Sequence, residues 1–320
     1  MRLVKTRKEE MISQHNTTRR LKRRLLWIPV VLVVTIAVVI LGISIYAASS
    51  LTQFEREPIQ NTPTDYGLEY VDVSFPSRDG LMLKGWWLGT KDDMPVIVMV
   101  HGSTRNRVNP PERMLGIASE LVNNNYNVLM FDMRGHGESE GKRVSAGLYE
   151  INDLLGAIDY IKQRGIVSKI GALGFSMGAA TCLMTTPECE EIDAVIVDGA
   201  YADIVSIVES EFANRSDLPQ FFLPIILFMT KNLYHVDFTA LRPIEATKKI
   251  TVPVFVIHGG QDTTVPVEHA NRIAEVCQSP YSRLWIVLEA EHCEAYMERP
   301  EEYVNKLLSF FDEAFELTIP

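Results

Sequence analysis

Three side chains of this sequence are of the types that nucleophilic acyl transfer requires: Ser176, Asp262 and His292. A serine hydroxyl is a poor nucleophile until a base takes its proton, and that base needs an acid to fix its tautomer and stabilise its charged form. Ser176 lies in Gly174-Phe175-Ser176-Met177-Gly178, directly after the apolar run Ile170-Gly171-Ala172-Leu173. This spacing describes a strand-to-helix turn so sharp that side chains two residues to either side of the serine would collide, and both positions are glycine. Such a turn exposes the hydroxyl at a helix N-terminus, where N–H groups and the helix dipole favour a developing oxyanion.

A base and an acid must be carried to the same place by other elements. Apolar runs of four to six residues separated by helical patterns indicate a mostly parallel sheet covered on both faces. The expected strands are 69–75, 81–88, 95–100, 127–131, the run before Ser176, 194–197, 254–257 and 283–288. The first two form an antiparallel hairpin turned through Asp79-Gly80. Helices are expected at about 112–123, 146–162, after Ser176, 268–276 and 301–315. More than fifty residues separate the strand ending at Val197 from that starting at Val254, and a connection so long is normally a functional insertion. Its centre, Phe221 to Met229, is apolar and broken by Pro224. A lid that packs on the core and shapes the substrate pocket is the preferred reading. A surface that takes acyl chains or dips into a membrane is the rival.

In a parallel sheet, ligands bind beyond the carboxyl ends of the strands. Strand 254–257 runs into His258-Gly259-Gly260-Gln261-Asp262, and strand 283–288 runs into Glu289-Ala290-Glu291-His292, so Asp262 and His292 share an edge with Ser176. His101 and His258 follow strands and precede glycine, which fits loop shaping; His15, His136, His235 and His269 lie in the leader, a Gly-rich turn, the insertion and a helix. Among the acids, Asp132 and Asp198 also end strands and Asp237 lies in the insertion; Asp132 is expected to pair with Arg134 and hold a turn. An oxyanion hole needs two backbone N–H groups. One is assigned to Met177, after the nucleophile, and the second to Ser103, with Thr104 as the neighbour that could replace it.

The 47% hydrophobic content supplies one large core, and about 250 residues suffice for a single α/β domain. Charge is divided unevenly. Residues 1–24 carry nine Lys or Arg against Glu9 and Glu10, although the whole chain has a net charge of −10. The acidic remainder would repel nucleic acid. Residues 25–48 contain no charge and are long enough to cross a hydrocarbon core of about 30 Å. The segment reads as a single transmembrane helix, with Trp27 and Tyr46 at its two ends and the basic leader on the cytoplasmic side. A cleaved signal peptide is the rival reading, but its apolar core is shorter, about 7 to 15 residues. Residues 49–66, with Pro58 and Pro63, read as a polar tether, and 67–320 as the folded domain with an insertion at about 201–250. Cys182, Cys189, Cys277 and Cys293 are too few for a disulfide scaffold and lack zinc spacing; buried free thiols are expected, with a Cys182–Cys189 bridge as the rival reading.

The motifs HGST at 101–104, FDMRGHGES at 131–139, GFSMG at 174–178, HGGQDTTVP at 258–266 and His292 resemble the α/β-hydrolase superfamily. The resemblance is to the membrane-anchored serine hydrolases related to the lysophospholipase, monoacylglycerol lipase and serine aminopeptidase-like families, and it spans roughly residues 70–315. The order Ser176, Asp262, His292 is that of the superfamily. Ser103 stands where relatives often carry Asn or glycines, and the loop before His292 is more acidic than the common Gly-rich form. The resemblance implies an α/β-hydrolase fold, an eight-stranded mostly parallel sheet with helices on both faces, a short helical lid and one preceding transmembrane helix. It also implies a Ser176–His292–Asp262 triad, no cofactor or metal, and a small-molecule acyl substrate, with an apolar or amphipathic carboxylic ester preferred. Thioesters and short peptides stay open, a peptidase needing a carboxylate such as Glu209 or Glu211 to hold the substrate amine. The non-enzyme rival is a catalytically silent binding module at the membrane. The expected location is the cell membrane, with the hydrolase domain on the extracytoplasmic side.

Overall fold

Valine, isoleucine and methionine runs fold as strands that are buried on both faces, because helices cover the sheet from either side. The computed structural model describes residues 2–89, 93–108, 110–165 and 169–317. Residue 1 of the expected leader and residues 318–320 of the expected domain lie outside the described residues. In chain order the elements are α1 (Arg2–Ser50), β1 (Tyr70–Pro76), β2 (Met82–Leu88), β3 (Val96–Val100), α2 (Pro111–Asn123), β4 (Asn127–Phe131), α3 (Ile151–Gln163), β5 (Ile170–Phe175) and α4 (Met177–Thr185). They continue with β6 (Ala194–Asp198), α5 (Ile204–Arg215), α6 (Phe222–Tyr234), α7 (Pro243–Thr247), β7 (Val254–Gly259), α8 (Glu268–Val276), β8 (Arg283–Val287), α9 (Ala295–Glu298) and α10 (Pro300–Leu317).

The eight strands form one sheet in the order β1-β2-β4-β3-β5-β6-β7-β8. β1 and β2 form the antiparallel hairpin, β2 meets β4 antiparallel, and the remaining pairs are parallel. The two-residue period of a strand splits its side chains between two cores. Val96, Val98 and Val100 face a core shared with Leu154 and Ile158 of α3, Leu183 of α4 and Ile273 of α8. Ile97 and Met99 face the opposite core, built on Leu115 of α2 and Phe310 and Phe311 of α10. β5 lies between β3 and β6, so Ser176 leaves the sheet near its middle.

Two local expectations are corrected. The helix expected from 146 begins at Ile151, because Ala146 and Gly147 adopt left-handed φ angles of 54° and 108°. There the Glu150 carboxylate takes the Ser145 and Gly147 N–H groups and the Ser145 hydroxyl, holding a loop. Asp132 does not pair with Arg134. It turns toward Arg107, accepting from its backbone N–H at 2.7 Å and its guanidinium at 3.0 Å. Arg134 instead forks between Asp153, at 2.7 Å, and Asp79, also at 2.7 Å.

α1 is one continuous helix through the basic leader and the apolar segment. The chain after it is fastened to the body. Arg56 donates to the carbonyls of Gly137, Ser139 and Gly141, and Asn106 donates to the carbonyl of Glu57. The long connection between β6 and β7 contains α5, α6 and α7.

Asp153 is fully buried. Removing Arg134 alone strands that carboxylate, so Arg134→Ala is expected to lower unfolding stability by about 3–5 kcal/mol, and replacing both partners by Leu to recover most of the loss. Urea denaturation checks this; a loss below about 0.5 kcal/mol, the range of ordinary surface substitutions, would contradict it.

Candidate active site

Ser176 is the one residue between β5 and α4, and its backbone is held at φ 53°, ψ −113°. A left-handed φ costs a non-glycine residue on the order of 1–3 kcal/mol and persists only where the surroundings enforce it. The Ser176 N–H donates to the carbonyl of Asp198 at 2.8 Å, and the Ser176 carbonyl accepts from Ala180 at 3.0 Å as α4 begins. A Cβ at Gly174 would strike the Gly178 backbone, and one at Gly178 would strike the carbonyls of Val100 and His101. Both glycines of the motif are therefore required by close backbone approach.

The structure brings Ser176, His292 and Asp262 into one hydrogen-bonded chain. His292 Nδ1 lies 2.6 Å from Asp262 Oδ2, and Nε2 lies 2.8 Å from Ser176 Oγ. A carboxylate only accepts, so Nδ1 carries a proton toward Asp262, and in the neutral ring Nε2 is left to accept from the serine hydroxyl. The Asp262 side chain is wholly buried, and its other oxygen accepts from the N–H groups of Thr264 at 2.9 Å and Val265 at 2.7 Å. His258 adds a contact that its loop-shaping role did not foretell. Its Nε2 donates to the Val265 carbonyl at 2.7 Å and stands 3.3 Å from Asp262 Oδ2, while burial holds the ring below its ordinary pKa and hence neutral. For His292, burial disfavours the imidazolium, but the Cys293 sulfur and the Asp262 carboxylate outweigh it, so the ring is held above its ordinary value.

Of the two residues assigned to the oxyanion hole, one follows the serine directly and the other lies in the loop after β3. Met177 opens α4, where the first N–H groups of a helix have no partner within it. Ser103 is half-buried in the loop after β3. That loop is close to Ser176: a Cβ on Gly102 would stand 3.4 Å from that of the serine. His101 braces the loop, with Nδ1 against the Gly102 carbonyl at 2.7 Å and Nε2 accepting from the Met133 N–H at 3.0 Å. Glu209 is exposed on α5, which also carries Glu211.

Sequence reasoning missed a buried layer beneath the histidine. Asp198, weighed only as a rival acid, is wholly buried at the end of β6, paired in register with Phe175. Its carbonyl accepts from both the Ser176 N–H and the Cys293 thiol, the latter at 3.3 Å, tying the serine and histidine loops to one atom. Its Oδ2 accepts from Tyr303 at 3.2 Å, and burial pushes its carboxyl up to about 6 against the pull of Arg113 and His292. Arg113, buried on α2 and lying over the Phe175 ring, donates to the Cys293 carbonyl at 2.5 Å. Cys293 itself has a left-handed φ of 57°. Gly199 clears space for this loop, since a Cβ there would meet the Cys293 sulfur and stand 3.1 Å from His292 Cε1. The place of Asp198 directly after the apolar run 194–197 was the available signal; α2 carries no comparable signal for Arg113. All four cysteines are free, three of them buried.

A model of the alpha/beta hydrolase fold matches residues 95–224. The Bacillus subtilis (strain 168) protein YqkD is 30% identical over 258 residues, covering 78% of this chain and 82% of the relative. YfhR of Salmonella typhi is 27% identical over 258 residues, 77% of this chain and 82% of its own. Among solved structures, the Pyrococcus furiosus esterase Pf2001 superposes with a TM-score of 0.69 at 27% identity, covering 82% of this chain and 98% of that one. The sheet order, the strained serine turn and these relatives agree: the chain belongs to the α/β-hydrolase superfamily.

Proposed function

We propose that the protein is a serine hydrolase that cleaves a carboxylic ester through an acyl-enzyme on Ser176. The observation that carries this reading is the continuous chain from Ser176 Oγ through His292 to Asp262, at 2.8 and 2.6 Å. Ser176 Oγ attacks the ester carbonyl carbon as His292 Nε2 takes its proton, and the carbonyl oxygen becomes an oxyanion facing the N–H groups of Met177 and Ser103. Collapse of this intermediate breaks the bond to the alcohol, which leaves with the proton from His292. Water, deprotonated in turn by His292, then attacks the acyl carbon, releasing the carboxylic acid and restoring Ser176. Asp262 fixes the tautomer and stabilises the imidazolium. The resemblance to a solved esterase supports an ester over other acyl groups, and the apolar insertion favours an apolar or amphipathic one. The helix Lys22–Ser50 is long and apolar enough to cross a membrane by length and composition. The same proposal places residues 25–48 in the bilayer, the basic leader in the cytoplasm and the hydrolase domain on the other side.

Fluorophosphonate labelling of the full chain is expected, and Ser176→Ala is expected to abolish it and to lower kcat on p-nitrophenyl esters by about a million-fold. An intact protein that never labels would contradict the enzyme reading, and faster turnover of aminoacyl amides than of esters would contradict the substrate class. The base must be neutral to accept a proton, and its pKa is raised, so kcat/KM should rise with pH through a value above the ordinary histidine range. Asp262→Asn removes a group that holds the ring up. It should move this acid limb to lower pH and reduce kcat by about 10⁴-fold; an unmoved limb would remove Asp262 from the role assigned here.

A further inference from the structure

The apolar helix α6 of the insertion is packed against α1. Ile40, Ile43, Ala47 and Ala48 of α1 share one apolar cluster with Phe222, Ile226 and Met229 of α6. Ala48 and Ser44 are wholly buried there, small residues that allow close helix approach. Tyr234, at the end of α6, donates to the Ile45 carbonyl at 3.3 Å. The joint is fixed from below as well. Thr52 accepts from Arg143 at its hydroxyl and from the Val144 N–H at its carbonyl, and the Arg143 guanidinium lies over the Tyr234 ring.

The α1 residues in this joint fall within the uncharged stretch 25–48. At about 1.5 Å of rise per residue, that stretch spans about 36 Å, against a hydrocarbon core of about 30 Å. A helix packed beside residues 40–48 is therefore held at the level of one leaflet if α1 spans. α6 is suited to that level. Phe221, at the N-cap of α6, and Pro224 and Phe228 within it follow helical spacing and are exposed, on a different side from Ile226 and Met229, with the Phe221 ring stacked on Phe222 at the edge of the joint. Phe221 is 53% and Phe228 60% exposed. The exposed Val38, Val39 and Leu41 of α1 continue the apolar surface across the joint. With 13 residues, α6 is about 20 Å long, too short to span, which leaves it lying in the boundary layer.

We propose that the Phe221–Pro224–Phe228 face of α6 is immersed in the acyl region of the leaflet on the hydrolase side, so that lid and anchor form one membrane-resident unit. This rests on the reading of α1 as bilayer-spanning. The lid also touches the catalytic domain: Leu227 and Leu51 pack on the cluster holding Ala180, one turn into α4 from Ser176, and Val265, whose N–H binds Asp262. The hydrolase is thus mounted with its insertion in the lipid, and an ester dissolved in that leaflet, rather than in water, is the substrate class this arrangement fits.

The test uses the full chain with Cys277→Ser, which leaves the three buried cysteines, and an environment-sensitive fluorophore on a single introduced cysteine. The variants are Phe228→Cys on α6, Val34→Cys on α1 and Tyr281→Cys on the exposed turn before β8. Each is required to unfold at the unsubstituted temperature before reconstitution into phosphatidylcholine vesicles with or without acyl-brominated lipid. The proposal expects the probe at 228 to be quenched by brominated lipid as the probe at 34 is, with emission shifted to the blue of that at 281. It is overturned if 34 is quenched but 228 behaves like 281. It is equally overturned if 228 is shielded from aqueous iodide yet indifferent to brominated lipid, as burial against a second copy of the chain would produce. If 34 is not quenched, the spanning reading fails and the proposal falls with it, while the Ser176 chemistry stands untouched.

Discussion

The site depends on a backbone conformation that serine does not adopt willingly. At φ 53° and ψ −113°, Ser176 turns the chain from β5 directly into α4. The strain is opposed by contacts on both sides: the Asp198 carbonyl holds the Ser176 N–H, and two glycines let α4 approach the β3 loop. The same carbonyl takes the Cys293 thiol, so Ser176 and the loop that carries His292 are located from one atom at the end of β6. A parallel sheet makes this economy available, since neighbouring strands deliver their carboxyl ends to one edge in register. The contacts that hold the turn against its strain keep the Ser176 hydroxyl in place.

The electrostatics of the site follow from burial. Asp262 is out of water but satisfied by two backbone N–H groups and two histidine contacts, so it remains an acceptor that fixes His292. His258, held neutral by burial, stands against Asp262 without carrying charge. Beneath them, Arg113 places its charge near Asp198 and binds the backbone of Cys293, which holds the histidine loop in its left-handed turn. These groups meet no reacting atom in the proposed chemistry; they act by fixing the ones that do.

Much of this was legible in the sequence, for a physical reason. Strands buried on both faces are nearly uninterrupted apolar runs, and the residue that ends such a run in a parallel sheet lies at the ligand edge, which singled out Ser176, Asp262 and His292. What could not be read were contacts between residues distant in sequence. Asp132 and Arg134 are two residues apart and of opposite charge, yet Arg107 and Asp153 take them separately. The start of α3 was misplaced because a buried glutamate, Glu150, organises the loop that precedes it. The segment after α1 has the composition of a free tether, but Arg56 and Thr52 dock it, and α1 meets α6 across nearly two hundred residues of chain. Apolar periodicity shows that a face is covered, not what covers it.

In the proposed mechanism, Ser176 carries the acyl group. The most direct measurement is mass spectrometry of the full chain quenched in acid during turnover of a p-nitrophenyl ester, followed by peptide mapping. A mass increase equal to one acyl group minus one hydrogen is expected, confined to the peptide containing Gly174-Phe175-Ser176-Met177-Gly178. An acyl adduct on any other residue, or continued turnover by Ser176→Ala at the original rate, would contradict it.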